Sequence, residues 1–268
     1  MTSLRVGNID VAVVSDGRLL MDPALMFAPG QSEFRDHVEL DDGRVPFSVN
    51  CVLVRTGERT ILLDTGAGRE DPVLLARYGG GCGMLVDNLG TLGVAPADID
   101  TVVISHAHGD HIGGATVRAI PTYPEAVYWF SEIEWEHWLQ PDVLMERPFL
   151  QNKLPPLMDH GQVELALEED EVAPGVRLVF APGHTPGHMC VAITSGQEMV
   201  LYTGDLLHHH AQLEHPDWSP MFDMLPQMSA ASRARILDEA RRQRAVLITA
   251  HLPTPGIARP VADGWSTA

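Results

Sequence analysis

The chain has 268 residues, with 36 acidic against 18 basic side chains and a formal charge of −18, a balance that repels phosphate backbones and anionic membrane surfaces and sets both aside as partners. Apolar residues at 45% and charged residues at 20% describe a globular protein with enough material for a layered core. No uncharged apolar run reaches the roughly 20 residues that span a bilayer, and no basic-then-apolar leader opens the sequence, so one cytoplasmic domain over 1–268 is expected.

Along the chain, β-branched runs closed by Gly, Asp or His predict strands over 9–17 (IDVAVVSDG), 49–55, 60–66 (TILLDTG) and 101–106 (TVVISH). Leu85, Leu89 and Leu92 recur at helical spacing and predict a helix over about 84–93. A strand over 127–130 precedes a helix over about 131–140, where Ser131 and Glu134 form a capping-box pattern. Further strands are predicted over 176–184, 189–196, 199–205 and 245–251. Before the last of them a helix over about 229–244 takes Ser229 as its N-cap and turns Ile236, Leu237 and Ala240 to one face. Strands outnumber helices and come in runs, which implies two sheets with helices outside them. Residues 18–47 and 141–160 are rich in Pro, Asp and Gly yet carry Met21, Met26, Phe27, Phe47, Met145 and Phe149, the mixture of loops packed over a site.

The chemistry concentrates in SHAHGDHIGG, residues 105–114. His106, His108, Asp110 and His111 put four ligand-type side chains into six positions just after a predicted strand, and the adjacent glycines let the backbone turn them inward. Imidazole and carboxylate without thiolate suit zinc, and also iron, manganese or cobalt. Cys51, Cys82 and Cys190 lie outside any CxxC and read as small core residues. The cluster alone would hold one ion badly, or two with help. His184 in APGHTPGH, Asp205 in YTGD and His251 in TAH each follow an apolar strand directly and are the candidates for that help.

These segments together resemble the metallo-β-lactamase fold family: SHAHGDH fits its HxHxDH signature, and LLDTG at 62–66, PGHTPGH at 182–188, TGD at 203–205 and AH at 250–251 follow in the family's order. The resemblance implies an α/β (α+β) chain folded as a four-layer αββα sandwich of two mixed sheets flanked by helices, with a binuclear metal site on one edge. It implies two divalent ions, Zn2+ first and Fe, Mn or Co as alternatives. His106, His108 and His184 would hold one and Asp110, His111 and His251 the other, with Asp205 and a hydroxide bridging them. Asp64 then reads as a carboxylate supporting a ligand histidine, and His188 as a packing and orienting residue.

Hydrolysis of a small-molecule ester, lactone or organophosphate is the implied reaction, with Asp110 or Asp205 moving the proton and His208 as a further catalytic candidate in the pocket. VVSDG, LLDTGAG, GDLLHH with Gln212, and AHLPTPGI look most like the branch that contains methyl parathion hydrolase, with N-acyl homoserine lactonases as relatives. Those lactonases usually carry tyrosine where this chain has His208, so quorum quenching stands as an alternative. An iron-dependent oxidoreductase and a non-catalytic metal-binding member are the others. His209 and His210 read as a solvated loop. Phe27, Phe47, Phe149, Trp218, Met221 and Phe222 are the expected apolar lip of the pocket, and a homodimer is left open.

Overall fold

The computed structural model describes residues 2–26, 38–70, 79, 81–167 and 169–267. Strands β1 (Thr2–Val6), β2 (Ile9–Met21), β3 (Val45–Arg55), β4 (Thr60–Leu63) and β5 (Thr101–Val103) come first. A small hairpin of β6 (Thr116–Val117) and β7 (Ile120–Pro121) separates them from β8 (Val127–Ser131) and β9 (Val163–Ala166). All but the hairpin form one sheet in the order β1-β2-β3-β4-β5-β8-β9, antiparallel as far as β4 and parallel from β4 to β9.

The second sheet contains β10 (Glu171–Ala173), β11 (Val176–Phe180), β12 (Met189–Ser195), β13 (Glu198–Tyr202), β14 (Val246–Ile248), β15 (Ile257–Val261) and β16 (Gly264–Thr267), in chain order and mixed, with β13 and β14 parallel. Among the described residues the α-helices are α1 (Pro23–Met26), α2 (Leu85–Thr91), α3 (Gly109–Ile112), α4 (Glu132–Trp138), α5 (Pro141–Glu146), α6 (Leu154–Asp159) and α7 (Pro226–Gln243).

Three apolar clusters separate the layers. Val52, Val54, Ile61 and Leu63 meet Leu178, Val191, Ile193 and Val200 between the sheets. Cys51, Leu53 and Leu62 point the other way, against Leu85, Leu89, Trp135 and Leu157 of the helices. Since side chains alternate across a strand, β3 and β4 are buried on both faces, which is why they read as unbroken apolar runs. Ile236, Leu237 and Ala240 seal α7 onto the outside of the second sheet with Leu201 and Leu247. Helix, sheet, sheet and helix make the αββα sandwich that the motifs imply. No described helix is long and apolar enough to cross a membrane.

Several predicted boundaries move. The strands predicted over 60–66, 101–106, 199–205 and 245–251 stop at Leu63, Val103, Tyr202 and Ile248, because DTG, SH, TGD and TAH leave the sheets and take side-chain partners. Residues 18–21 and 45–47, read as loop, extend β2 and β3 into a long pair running from Asp10↔Arg55 to Met21↔Val45. Residues 141–159 of the other supposed loop form α5, a 3-10 turn (Pro148–Asn152) and α6. Helix α7 begins at Pro226 rather than after Ser229: proline at the first helical position has its φ already set, and the Ser229 hydroxyl accepts from Arg233 Nη2 inside the helix.

Candidate metal centre

Parallel pairing aligns the ends of the strands that carry the motifs. Leu63 is level with Val103 in the first sheet, and Tyr202 is level with Ile248 in the second. Asp64 and the 105–111 loop therefore leave one edge, and Asp205 and His251 leave the neighbouring edge of the other sheet. His184 joins them from the loop after β11, whose backbone is pinned by Met224 N–H to His184 O at 3.0 Å and Leu225 N–H to Gly183 O at 2.8 Å. Gly204 has a φ of +49°, and a Cβ there would lie 2.8 Å from His188 Nε2, so the TGD turn requires glycine.

The seven predicted donors converge on one rim. His106, His108, His184 and Asp205 offer atoms within 4.8 Å of one another, as do Asp110, His111 and His251. Asp205 lies between the groups and divides its oxygens. Its Oδ2 is 3.6 Å from His106 Nε2 and 3.1 Å from His184 Nε2, while Oδ1 is 2.9 Å from both His111 Nε2 and His251 Nε2. Asp110 Oδ2 completes the second group at 3.7 Å from His111 Nε2 and 3.5 Å from His251 Nε2. Among the described residues, buried His106 Nε2, His111 Nε2 and Asp205 Oδ1 have no partner aligned for a hydrogen bond despite these short separations. Buried polar atoms that converge without bonding one another fit a shared cation.

Three of the rings are also held from behind. His111 Nδ1 meets Asp64 Oδ2 at 2.7 Å, His184 Nδ1 meets Asp223 Oδ1 at 2.9 Å, and His251 Nδ1 meets Ser48 O at 2.8 Å. With Nδ1–H donating, Nε2 is left as the free electron pair that a metal takes. Asp64 adopts a left-handed φ of +59° and also accepts from the Ser105 amide, the Ser105 hydroxyl and the Tyr202 hydroxyl, each at 2.7 Å; this network holds a backbone conformation that is costly for a residue other than glycine. His188 donates Nδ1–H to Ala181 O at 3.1 Å and accepts Asp205 N–H on Nε2 at 3.0 Å, so it is a neutral brace, and burial pushes its pKa down to about 3.

The electrostatics favour positive charge at the centre of the rim. Burial alone would lower His184, yet Asp205 and then Asp223 bring it up to about 9. Burial likewise opposes the charged forms of His111 and His251, and the carboxylates around them, Asp205 first and then Asp110, together outweigh it in both. His106 and His108 go the other way, lowered by burial and by the neighbouring rings. Carboxylates that favour a proton on these rings favour a metal cation in its place.

A cleft of about 500 Å³ opens over the donors. Phe47, Phe149, Met221 and Phe222 line it, as does His208. Trp218 does not: it is buried in a cluster with Leu19, Met21, Met26 and Phe47 and stacks on His215 with ring centroids 4.2 Å apart. Phe27 lies outside the described residues. His208 Nε2 is 3.1 Å from Asp205 Oδ2, and burial pushes its pKa down to about 4. His209 is not solvated as expected: it is buried, and its Nδ1 accepts Ala211 N–H at 3.2 Å to cap a 3-10 turn, whereas His210 is exposed. Asp223, Arg233 and Tyr202 had no signal in the sequence, since each meets its partner only through the tertiary fold.

The profile of the metallo-beta-lactamase superfamily matches residues 44–251. A protein named as a probable metallo-hydrolase of Mycobacterium tuberculosis is 30% identical over 186 residues, 62% of this chain, and the chain spans only 58% of that relative's length. An N-acyl homoserine lactonase of Bacillus thuringiensis is 26% identical over 247 residues, 85% of this chain and 92% of that one. Among solved structures, a dizinc quorum-quenching lactonase in complex with a product, N-hexanoyl-L-homoserine, has a TM-score of 0.83 at 27% identity, covering 99% of this chain and 95% of that one. A probable metal-dependent hydrolase from Staphylococcus aureus reaches 0.88 at 20% identity over 97% and 95% of the two chains, a likeness of fold.

Proposed function

The chain belongs to the metallo-beta-lactamase superfamily, and from that premise we propose that it is a binuclear metal-dependent hydrolase acting on a small lactone or ester. The observation that carries the proposal is the divided Asp205 carboxylate, with one oxygen towards His106 and His184 and the other towards His111 and His251. In this reading His106, His108 and His184 hold one ion, Asp110, His111 and His251 hold the second, and Asp205 serves both. Zinc is the first choice for a set of imidazoles and carboxylates without thiolate. When bound, such a pair of ions lowers the pKa of a shared water to near neutrality and polarises the oxygen of the bond under attack.

The residues of the chain supply the rest. Asp110, whose side chain is 17% exposed, is the donor carboxylate open to the cleft, and it moves the proton from the nucleophile towards the leaving oxygen. His208, neutral and against Asp205, presents a buried polar group beside the reacting centre. Phe47 stacks on His251 with centroids 4.8 Å apart, and Phe222 lies edge-on to His208 at 4.9 Å. Together with Phe149 and Met221 they form an apolar wall that suits an acyl or aryl substituent and excludes water from it. The lactonase relatives at 26% and 27% identity over most of both chains support a lactone as the first substrate to try.

The test is removal of metal with a chelator, restoration with zinc, manganese or iron, and assay of a lactone series, an aryl ester and a phosphotriester. Activity should disappear and return with the metal, and be greatest on the lactone or ester. Turnover that survives complete metal removal would overturn the proposal. Turnover confined to the phosphotriester would overturn its substrate class.

A further inference from the structure

Glu134 departs from the role its spacing implies. Ser131 Oγ accepts Glu134 N–H at 3.5 Å, as a helix cap should, but the Glu134 carboxylate is spent elsewhere. Its Oε1 accepts Ala107 N–H at 2.9 Å and Trp138 Nε1–H at 2.6 Å. Its Oε2 accepts the Thr185 hydroxyl at 2.7 Å and Gly187 N–H at 3.0 Å. Four donors occupy the acceptor capacity of a carboxylate, and the residue is 1% exposed.

Ala107 lies between His106 and His108, and Thr185 follows His184, so one buried carboxylate clamps two loops that are far apart in sequence. The contact is tight: a Cβ on Gly187 would sit 2.2 Å from Glu134 N. Trp138, held by the same carboxylate, sets its ring against His108 with centroids 5.6 Å apart and planes at 70°. None of these bonds reaches Asp110, His111 or His251; His111 is held by Asp64 and His251 by Ser48.

We propose that Glu134 is a positioning residue that fixes His106 and His108 relative to His184, and thereby sets the metal affinity of that half of the centre alone. The inference rests on the two-site reading above. Donor atoms on separate loops bind an ion tightly only if their spacing is fixed before it arrives, and removal of a group that supports metal ligands typically costs about 10–100-fold in affinity.

Glu134→Gln keeps the size of the side chain but turns an amide NH2 towards donors. The purified full chain, loaded with zinc and dialysed against graded chelator, should lose one of two equivalents at about 10–100-fold lower chelator activity than wild type, with the other unchanged. In cadmium-loaded protein only the NMR resonance of the three-histidine site should shift or vanish, a selectivity that a general loss of structure would not produce. Asp64→Asn supplies the contrast: Asp64 holds His111 directly and Ser105, whose hydroxyl is 3.1 Å from His106 Nδ1, so both equivalents should weaken together. If Glu134→Gln fails to fold, Thr185→Val removes one donor on the His184 side and should give a smaller shift at the same site. Parallel weakening of both equivalents, or of neither, in the folded variant would overturn the role of Glu134 and leave the two-site reading standing. A wild type that holds a single equivalent would sink that reading, and this inference with it.

Discussion

Replacing Arg233 with Met removes a cation that solvent does not reach. Arg233 is fully buried on α7, where Nε donates to Leu206 O at 2.6 Å and Nη1 to Pro216 O and Trp218 O at 2.8 and 2.9 Å. Nη2 donates to Ser229 Oγ at 2.9 Å and to Asp223 Oδ2 at 3.3 Å. Leu206 follows Asp205, and Asp223 orients His184, so one guanidinium secures the backbone behind one metal-site residue and the brace behind another. Burial pushes the Asp223 carboxyl up, but His184, then His208 and Arg233, outweigh it and hold it below the usual carboxylate range.

Methionine keeps most of the apolar stem, so little cavity forms. Breaking a buried ion pair from one side costs about 3–5 kcal/mol. Trp218 O retains Gln212 Nε2 at 2.8 Å and Asp223 retains His184, so the main further loss is at Leu206 O, about 1–3 kcal/mol for a buried carbonyl. Since these contributions overlap, a total of about 4–6 kcal/mol is expected, or roughly 10–15 °C in Tm for a chain of this size. Urea titration of metal-replete protein, followed by tryptophan fluorescence, measures it, and an unchanged m-value would show that both variants unfold from the same compact state. In a double-mutant cycle with Asp223→Asn the coupling should be about 1–3 kcal/mol. A loss below about 1 kcal/mol, the size of an exposed ion pair, would refute the reasoning.

His208→Ala should leave the metal content unchanged and lower kcat/KM about 100-fold or more, as loss of a proton-handling group does; loss of metal would instead assign His208 to the ligand set with Asp205 and His251, whose donor atoms lie within 4.8 Å of its own. Asp16 supplies a pH test at a group outside that ligand set. Burial pushes its carboxyl up to about 6, although N–H groups of Gly83, Leu85 and Ala67 recover part of the cost. A folded pKa above the unfolded value means that this group's stabilising contribution is complete below pH 4 and is lost as pH rises through 6, by about 3 kcal/mol for a shift of about two units. Unfolding free energies of wild type and Asp16→Asn should therefore diverge over that interval, with wild type losing ground as pH rises, and an offset constant with pH would contradict the assignment.

The sequence by itself was enough to single out the candidate donors. His106, His108, Asp110 and His111 are dense within six positions, and His184, Asp205 and His251 each follow an apolar run, so short-range pattern marks them as candidates, whereas the supporting role of Asp64 came only with the family resemblance. The two-sheet architecture was legible for the same reason, because burial on both faces leaves continuous β-branched runs. Partner choice was not legible. Ser131 and Glu134 have the spacing of a reciprocal cap, yet the carboxylate bonds to Ala107 and Thr185. Ser229 has the chemistry of an N-cap but lies a turn inside α7 beside Arg233. His209 has the neighbours of a solvated loop but is buried as a cap. His184 is oriented by Asp223, 39 residues away, and only parallel register brings Asp64, Asp205 and His251 to one rim. Local sequence sets backbone preference and the tendency to be buried over a few residues. A buried polar group must then bond to whatever the opposing layer presents, and that is decided only when the sheets and helices pack.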